Sequence, residues 1–447
     1  MPDRAGSEKR KQTSLWGIAK KARQDKHHRF RNLYGCLNRD LLLQSWRGLN
    51  KKAASGVDRV TAEGYAKNLW HNLGNLEQRL IKKQYKAKLV RRKYIPKDAK
   101  GSKLRPLGIP ALEDKIVQGA CVRLLNAIYE QDFLSFSYGY RPGKDPRIAV
   151  SELTFQLQFG VYGYIVEADI KGFFDNMNHN WLLKMLNKRI NDKAFVHLIR
   201  KWLKAGILED LGEVIHPQTG TPQGGIISPV LANLYLHYAL DIWFVEAVKP
   251  QIRGEAIICR YADDFVCAFR FREDAERFYR KLPKRLEKFG LQVAPDKTQT
   301  LRFSRFHPTM RRRFTFLGFE FYWEPDRKGV ARVKRRTSRK KLRGIIRNIT
   351  EWIRSNRHLA ERKFFQVINA KLRGHYNYYG IRGNSQSIWE YYCQVLEICF
   401  KWLNRRSQRR SYTWERFKRS LKEYYGIWKP RITEKKRRPH VDYQYCF

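Results

Sequence analysis

Two adjacent acidic residues, Asp263 and Asp264, interrupt a run of apolar and strand-forming residues between positions 257 and 269. The β-branched and aromatic residues on both sides favour two strands, so the acids fall at the tip of a tight hairpin. Neighbouring carboxylates repel each other, and burying either one is costly unless a cation compensates. Two divalent cations about 3.5–4 Å apart can do this while clamping the oxygens of a phosphoryl group in transfer. The hairpin therefore predicts a two-metal site of that kind.

The charge of the chain is strongly positive, with 91 Lys and Arg residues against 42 Asp and Glu residues and a net charge of +49. Such an excess repels itself in a folded protein unless a polyanion offsets it. The 12 Trp, 24 Tyr and 25 Phe residues supply surfaces on which bases can stack. Charge that serves only solubility usually mixes both signs, and a membrane-surface protein concentrates its basic residues in one patch. The composition therefore favours a nucleic-acid partner and no membrane.

The seven cysteines contain no C-x-x-C pair, so neither a disulfide framework nor a zinc site is expected. No apolar run reaches the roughly 18–20 residues of a membrane-spanning helix. The polar, basic N-terminus lacks the apolar core of a secretory signal. We expect a protein that is not secreted, located in the cytoplasm (bacterial, nucleoid-associated) or in an organelle.

A third carboxylate is needed near the hairpin, and Asp169 is the best candidate because it ends a short apolar strand over residues 162–168. Strand ends followed by glycine turns are where α/β proteins usually meet metals and phosphates. An acid before a turn is ordinary when it stands alone. Together with the hairpin about 95 residues later, it predicts a shared site.

Two further segments fit a nucleotide. In residues 221–229 a glycine pair precedes a helix that starts at Ser228, so the main chain and Gln223 can approach a ligand. Lys103 and Arg105 lie on an extended ribbon over residues 90–110, where they can grip phosphates. The alternative for residues 221–229 is a plain loop with a helix cap. The alternative for Lys103 and Arg105 is a solvated turn.

These segments, in this order, resemble the reverse transcriptase family, and in particular the enzymes encoded by bacterial and organellar group II introns. The similarity extends over about residues 30–405. It rests on residues 50–58, 105–110, 138–143, 169–175, 220–233, 260–266, 297–298, 316–319 and 373–379.

The resemblance implies an α+β fold of the right-hand polymerase type, with fingers and palm built on an antiparallel palm sheet and an α-helical thumb. It implies four segments along the chain. They are a basic, mostly helical N-terminal extension (1–89), the fingers and palm (90–330), the helical thumb or maturase domain (331–405), and a basic C-terminal tail (406–447) that can contact DNA. No cysteine pair or His-Asn cluster follows residue 405, so no endonuclease domain is expected.

The resemblance also implies roles for single residues. Two Mg²⁺ ions are held by Asp169, Asp263, Asp264 and the main chain of Ile170. The side chains expected to bind the nucleotide are Lys103 and Arg105 on its phosphates, Phe174 as a gate against a ribose 2′-hydroxyl, Gln223, and Lys297 as proton donor to pyrophosphate.

The implied activity is RNA-directed DNA synthesis from dNTPs onto a DNA primer, together with binding of group II intron RNA in a ribonucleoprotein that assists splicing and mobility. The oligomeric state is open. One alternative is a domesticated relative with the same chemistry, working in phage defence or CRISPR adaptation. Another is a non-catalytic RNA-binding splicing cofactor, against which the three intact acids argue.

Overall fold

The structure is a computed structural model that describes residues 14–96, 104–209, 212–406 and 411–434. It divides into two compact units. The first takes in the described residues of Met1–Ile95, Arg105–Asp145 and Ala168–Thr300. The second takes in those of Pro96–Leu104, Pro146–Glu167 and Leu301–Phe447.

Helices and strands both occur in quantity, so the mixed class predicted from the sequence is confirmed. In chain order the α-helices are α1 (Leu15–Gln24), α2 (Arg39–Gly48), α3 (Ala62–Ala66), α4 (Leu69–Ile81), α5 (Leu112–Tyr129), α6 (Pro146–Phe159), α7 (Phe173–Asn176), α8 (His179–Asn187), α9 (Lys193–Leu203), α10 (Ser228–Leu236), α11 (Arg272–Glu287), α12 (Arg339–Asn356), α13 (Glu361–Tyr379), α14 (Ser385–Leu403) and α15 (Trp414–Ser420). The strands are β1 (Val90–Pro96), β2 (Leu104–Ile109), β3 (Tyr164–Ala168), β4 (Ile207–Leu208), β5 (Val214–Ile215), β6 (Ala256–Tyr261), β7 (Asp264–Phe269), β8 (Gln299–Arg302), β9 (Phe314–Phe316), β10 (Phe319–Pro325) and β11 (Ala331–Thr337).

The helical core of the first unit is centred on α5, against which both α1 and α2 pack. Apolar residues of α5 recur every three to four positions, and Ile116, Leu124 and Ile128 are fully buried. The guanidinium of Arg189 donates to the main-chain oxygens of Ala22, Asp25 and His28 and so fixes the end of α1. The N-terminal helices are therefore part of this unit's core.

A small sheet in the first unit has the strand order β2-β1-β4-β5. The strand pair predicted for residues 90–110 is confirmed as β1 and β2. Val90 of β1 lies opposite Ile207 of β4 in parallel pairing, and β4 pairs with β5 in antiparallel fashion. The helix α10 continues beyond Leu236 into π-helical turns over His237–Asp241 and Phe244–Val248.

The second unit contains the antiparallel sheet β11-β10-β9. The sequence favours strand structure over residues 314–323, and this prediction is confirmed as β9 and the first part of β10. Leu317 and Gly318 both have positive φ angles, 51° and 79°, which reverse the chain and pair Phe316 with Phe319. The segment therefore forms two strands of a hairpin.

The helices α12, α13 and α14 in the second unit follow the apolar spacing that predicts them. Ser338 caps α12, whose buried side is formed by Leu342, Ile349 and Ile353. None of the described helices is both long enough and apolar enough to cross a lipid bilayer.

The C-terminal segment over residues 411–434 is folded onto α13. The Glu361 carboxylate, at the start of α13, accepts hydrogen bonds from the hydroxyls of Tyr412 and Tyr425 and from Arg406. Asn369 of α13 accepts a 2.9 Å hydrogen bond from the main-chain N–H of Trp428. Residues 414–425 of this segment form α15 and a π-helical turn at Leu421–Tyr425.

Candidate active site

The acidic pair lies at the tip of a two-stranded hairpin, as the apolar flanks predict. Strands β6 and β7 pair from Ala256 opposite Phe269 to Tyr261 opposite Asp264. This register leaves a two-residue turn, in which Ala262 takes a φ of 57°. Asp263 lies in the turn and Asp264 starts β7, so both carboxylates lie at one end of a buried pair of strands.

A closed polar network fixes the base of this turn. Arg260 and Asp241 are completely buried, and the guanidinium binds both carboxylate oxygens at 2.7 and 2.5 Å. The other N–H groups of Arg260 donate to Ser137 Oγ at 2.7 Å, Asn233 Oδ1 at 3.2 Å and the Ala262 carbonyl at 3.1 Å. All five donors of the guanidinium are thereby used. The turn carrying the acids is therefore held by a fully satisfied buried ion pair.

Backbone pairing brings Asp169 and Lys297 together. The Asp169 carbonyl accepts from the N–H of Ala294 at 2.8 Å, and the Lys171 N–H donates to Gln292 at 2.8 Å. A short 3₁₀ turn at Pro295–Lys297 follows. It places Lys297 Nζ 2.5 Å from Asp169 Oδ2. An exposed lysine thus holds the third predicted carboxylate.

The three carboxylates share one electrostatic environment. Loss of hydration among the surrounding protein atoms, a hydrogen bond with Asp169 and the nearby charge of Asp263 together raise the pKa of Asp264 to about 7. Burial also raises the pKa of Asp263; the Asp169 charge adds to this effect, while Lys297 and Arg105 oppose it. The hydrogen bond with Asp169 raises the pKa of Lys297. The structure therefore brings Asp169, Asp263, Asp264 and Lys297 into one cluster.

Across the described ranges, no three His, Cys, Asp or Glu side chains are arranged as a ready metal site. The Asp169 carboxylate is paired with the Lys297 ammonium. The side chain of Ile170 is buried, and its residue pairs with Val293 as an isolated bridge. Only the main chain of Ile170 is therefore available as a ligand.

The glycine-rich loop before α10 supports Phe174. The Thr221 N–H donates to the Phe174 carbonyl at 2.8 Å, and the Gly220 N–H donates to the Met177 carbonyl at 2.8 Å. Thr221 and Ser228 share a 2.7 Å hydrogen bond between hydroxyls, which closes the loop onto the start of α10. Phe174 is half-buried on the four-residue helix α7.

The same loop approaches β2 closely. The Gln223 carbonyl accepts from the Gly108 N–H at 2.6 Å. Gly224 has a φ of 114°, and a Cβ there would lie 2.6 Å from the Gly108 carbonyl, so only glycine fits. The Gln223 side chain makes no hydrogen bond within the described residues and stays half-buried. Arg105 is exposed on β2, and its charge reaches Asp263. Lys103 lies outside the described residues.

Two groups at the site are not predicted from the sequence. One is the pair Arg260–Asp241, which the sequence indicates only by placing an acid and an arginine among apolar neighbours. The other is Tyr140, whose ring centre lies 6.3 Å from that of Phe174. Tyr140 belongs to a segment that carries the family resemblance, but nothing in its local pattern places it beside Phe174.

Comparison with known proteins identifies the family. Residues 95–321 of the 447-residue chain match the family described as reverse transcriptase (RNA-dependent DNA polymerase). The chain belongs to the reverse transcriptase family. Protein YkfC of Escherichia coli is 32% identical over 327 residues, which cover 66% of this chain and 83% of YkfC.

Two intron-related proteins show where this reverse transcriptase falls within its family. The group II intron-encoded protein LtrA of Lactococcus lactis is 39% identical over 224 residues, covering 49% of this chain and 36% of LtrA. An uncharacterized 91 kDa protein in the cob intron of Schizosaccharomyces pombe is 35% identical over 235 residues, covering 52% of this chain and 28% of that protein. The chain thus spans about a third of the length of these two relatives. The group II intron type predicted from the sequence is confirmed.

Proposed function

We propose that this reverse transcriptase is an RNA-directed DNA polymerase that adds deoxynucleotides to a primer 3′-hydroxyl on an RNA template. The observation that carries the proposal is the cluster of Asp169, Asp263 and Asp264 at the hairpin tip, where burial and the neighbouring carboxyl groups raise the pKa of Asp264 to about 7. A protein with a net charge of +49 has cations to spare for pairing such acids. A carboxyl group whose pKa is raised by neighbouring carboxyl groups is typical of a functional site.

The donor set suits Mg²⁺, which prefers oxygen ligands. Asp169, Asp263, Asp264 and the Ile170 carbonyl would hold two such ions, with Asp263 as the principal ligand of the hairpin pair. Bound there, the ions would stabilise charge on the attacking and leaving oxygens of phosphoryl transfer. The Lys297 ammonium at Asp169 already marks one cation position, and it would move away to the leaving group, to which it donates a proton.

The nucleotide would lie between the acids, β2 and the glycine-rich loop. Arg105, with Lys103, would hold its phosphates through charge-assisted hydrogen bonds. Gln223, whose side-chain amide is uncommitted in the described structure, would contact the nucleotide. Phe174 would press against the sugar and reject a ribose 2′-hydroxyl.

The nucleic-acid partners follow from charge and from the relatives. A net charge of +49 supports binding through phosphates, with an affinity that falls steeply as salt rises. LtrA is by name encoded by a group II intron, and on this ground we assign group II intron RNA as the partner in splicing and mobility. Template RNA and primer or target DNA complete the set, in the cytoplasm near the nucleoid or in an organelle.

The right-hand architecture is part of the same proposal. Residues 90–330 would form fingers and palm, and residues 331–405 the thumb, which the helices α12 to α14 support. Residues 1–89 would extend the fingers. Residues 406–447 would contact DNA, and their described part is folded onto α13.

The test is the substitution Asp263→Asn, assayed by dNTP incorporation on an RNA template with a DNA primer and Mg²⁺. Loss of a metal ligand should lower the rate at least about 10³-fold, because metal stabilisation of the transition state is worth several kcal/mol. The control Asp40→Asn, at an exposed acid of α2, should retain activity. RNA affinity should be nearly unchanged in both. Retained synthesis by Asp263→Asn would refute the metal assignment, and an inactive parent protein would favour the non-catalytic splicing cofactor.

A further inference from the structure

Tyr140 has an unusual backbone conformation for its residue type. Its φ is 59°, in the left-handed region that is costly for a residue with a Cβ, and 53% of its surface is exposed. Such strain persists only where the surroundings over-determine it, and it is concentrated at functional sites. The contacts around Tyr140 show what imposes it.

The residue before it packs directly against the catalytic hairpin. A Cβ on Gly139 would lie 2.3 Å from the main-chain nitrogen of Ala262, so no other residue fits this approach. Asn233 Nδ2 donates to the Gly139 carbonyl at 2.6 Å, and the Oδ1 of the same amide accepts from Arg260. The turn at Ala262 and the chain at Gly139 are therefore held by one buried network.

The flanking residues are held as well. The Tyr138 N–H donates to the Arg260 carbonyl at 2.9 Å, and the Arg260 N–H donates to the Phe136 carbonyl at 2.9 Å. On the other side, Arg141 donates to the carbonyls of Leu134 and Ser137 at 2.8 and 2.7 Å. Because both neighbours are fixed, the main chain of Tyr140 is held in its left-handed conformation.

In this conformation the Tyr140 ring contacts Phe174. The two rings meet edge to face, with centres 6.3 Å apart and planes at 77°. Phe173 meets another part of the Phe174 ring at 5.5 Å. Burial and the neighbouring Asp263 carboxylate raise the pKa of the Tyr140 phenol, which agrees with a place beside the acids. The Tyr140 hydroxyl makes no hydrogen bond within the described residues, so its contact with the site is through the ring.

We propose that Tyr140 is a positioning residue for sugar selection: its ring braces Phe174 in the orientation that excludes a ribose 2′-hydroxyl. The inference rests on the proposed function, because it requires Phe174 to be the gate. Edge-to-face aromatic pairs are modest in strength, and Phe174 also contacts Phe173, so Tyr140 supplies only part of the support of the gate ring. Removing the brace should therefore weaken discrimination without abolishing synthesis.

The experiment compares kcat/KM for dCTP and CTP on an RNA template with a DNA primer. Tyr140→Asn removes the ring while tolerating the left-handed backbone, and Tyr140→Phe keeps the ring without the hydroxyl. We expect Tyr140→Asn to lower the dCTP preference about threefold to tenfold. Tyr140→Phe should match the parent, as should Trp70→Ala, at an exposed aromatic of α4. Thermal melting of each variant checks that it is folded.

A double variant separates bracing from independent contact. If Tyr140 acts through Phe174, then Phe174→Ala should lose more discrimination than Tyr140→Asn, and combining them should add nothing further. Additive losses, or an equal fall in kcat/KM for both nucleotides with Tyr140→Asn, would overturn the inference. An unchanged preference in Phe174→Ala would overturn both the gate and the brace. Asp263→Asn tests the polymerase assignment separately, so its failure is distinguishable from these.

Discussion

Asp241 and Asp264 both belong to the surroundings of one hairpin, yet their charges are treated in opposite ways. Asp241 is completely buried and meets the Arg260 guanidinium with both oxygens. Asp264 reaches the surface, shares a hydrogen bond with Asp169 and lies beside Asp263, with a pKa raised to about 7. The negative charge of Asp241 is neutralised by an arginine of the protein, whereas the charge of Asp264 would be neutralised by a bound cation.

The difference separates the part of the site that holds its shape from the part that reacts. The buried pair Arg260–Asp241 fixes the turn. Because all of its hydrogen-bond donors are used within the protein, none is left to bind a ligand. The acids at the tip can still bind a cation, because within the described part of the chain the exposed Lys297 at Asp169 is the only ion-pair partner that any of them has. Perturbed carboxyl groups next to a satisfied framework are typical of catalytic sites.

The largest expected effect on stability is at the compensated acid. Asp241→Ala leaves the Arg260 charge buried and unpaired, which should lower the free energy of unfolding by about 3–5 kcal/mol. Urea unfolding followed by circular dichroism measures it. The matched control is Glu276→Ala, which breaks the exposed pair Arg272–Glu276 on α11 and should cost less than about 1 kcal/mol. Equal costs in the two variants would show that the buried pair is not what holds the hairpin.

The uncompensated acid should behave in the opposite sense. Because the folded pKa of Asp264 is about 7 and its unfolded pKa is near 3.9, the folded state binds more protons between these values. The free energy of unfolding of the metal-free protein should therefore fall as pH rises from about 4 to about 7. Asp264→Asn removes this slope and should be more stable than the parent at pH 8 by about 1 kcal/mol, since water screens a partly exposed carboxyl.

Melting temperatures in EDTA between pH 4 and pH 8 measure this difference. The curves of parent and variant should meet near pH 4 and separate as pH rises. Added Mg²⁺ should stabilise the parent more than the variant and so narrow the gap at pH 8. Parallel curves would mean that Asp264 is not held in an unfavourable charged state.

The comparison also shows what the sequence could and could not predict. Asp263 and Asp264 are predictable because two acids inside a strand-forming run fit only a hairpin tip. Asp169 is predictable because it ends a strand, and the helices α12 to α14 follow from apolar spacing. Gln223 is a candidate because it adjoins a glycine pair before a helix, whereas Phe174 becomes one only through the family resemblance.

Packing between segments that are distant along the chain could not be predicted from the sequence. The approach of Gly139 to Ala262 joins residues more than a hundred positions apart, and no local pattern encodes it. The ion pair Arg260–Asp241 depends on π-helical turns after α10. The hairpin turn at Leu317 and Gly318 depends on two positive φ angles within a run of strand-forming residues.

The smallest expected effect concerns Lys297, the lysine that is paired with Asp169 beside the hairpin tip. The Lys297 ammonium is paired with the Asp169 carboxylate, so a metal ion that binds this carboxylate would compete with it. Lys297→Gln should therefore lower the half-saturating Mg²⁺ concentration for synthesis by about threefold. The rate at saturating Mg²⁺ is read separately, because it reports proton donation rather than competition. Lys171→Gln is the matched control: it removes an exposed charge from the same segment as Asp169 without breaking a contact to that carboxylate. An equal shift in both variants would show that only the general field of the lysines matters. A higher half-saturating Mg²⁺ concentration with Lys297→Gln would mean that Lys297 positions the carboxylates for the metal. The negative charge at the tip would then be partly compensated within the protein, as the charge of Asp241 is.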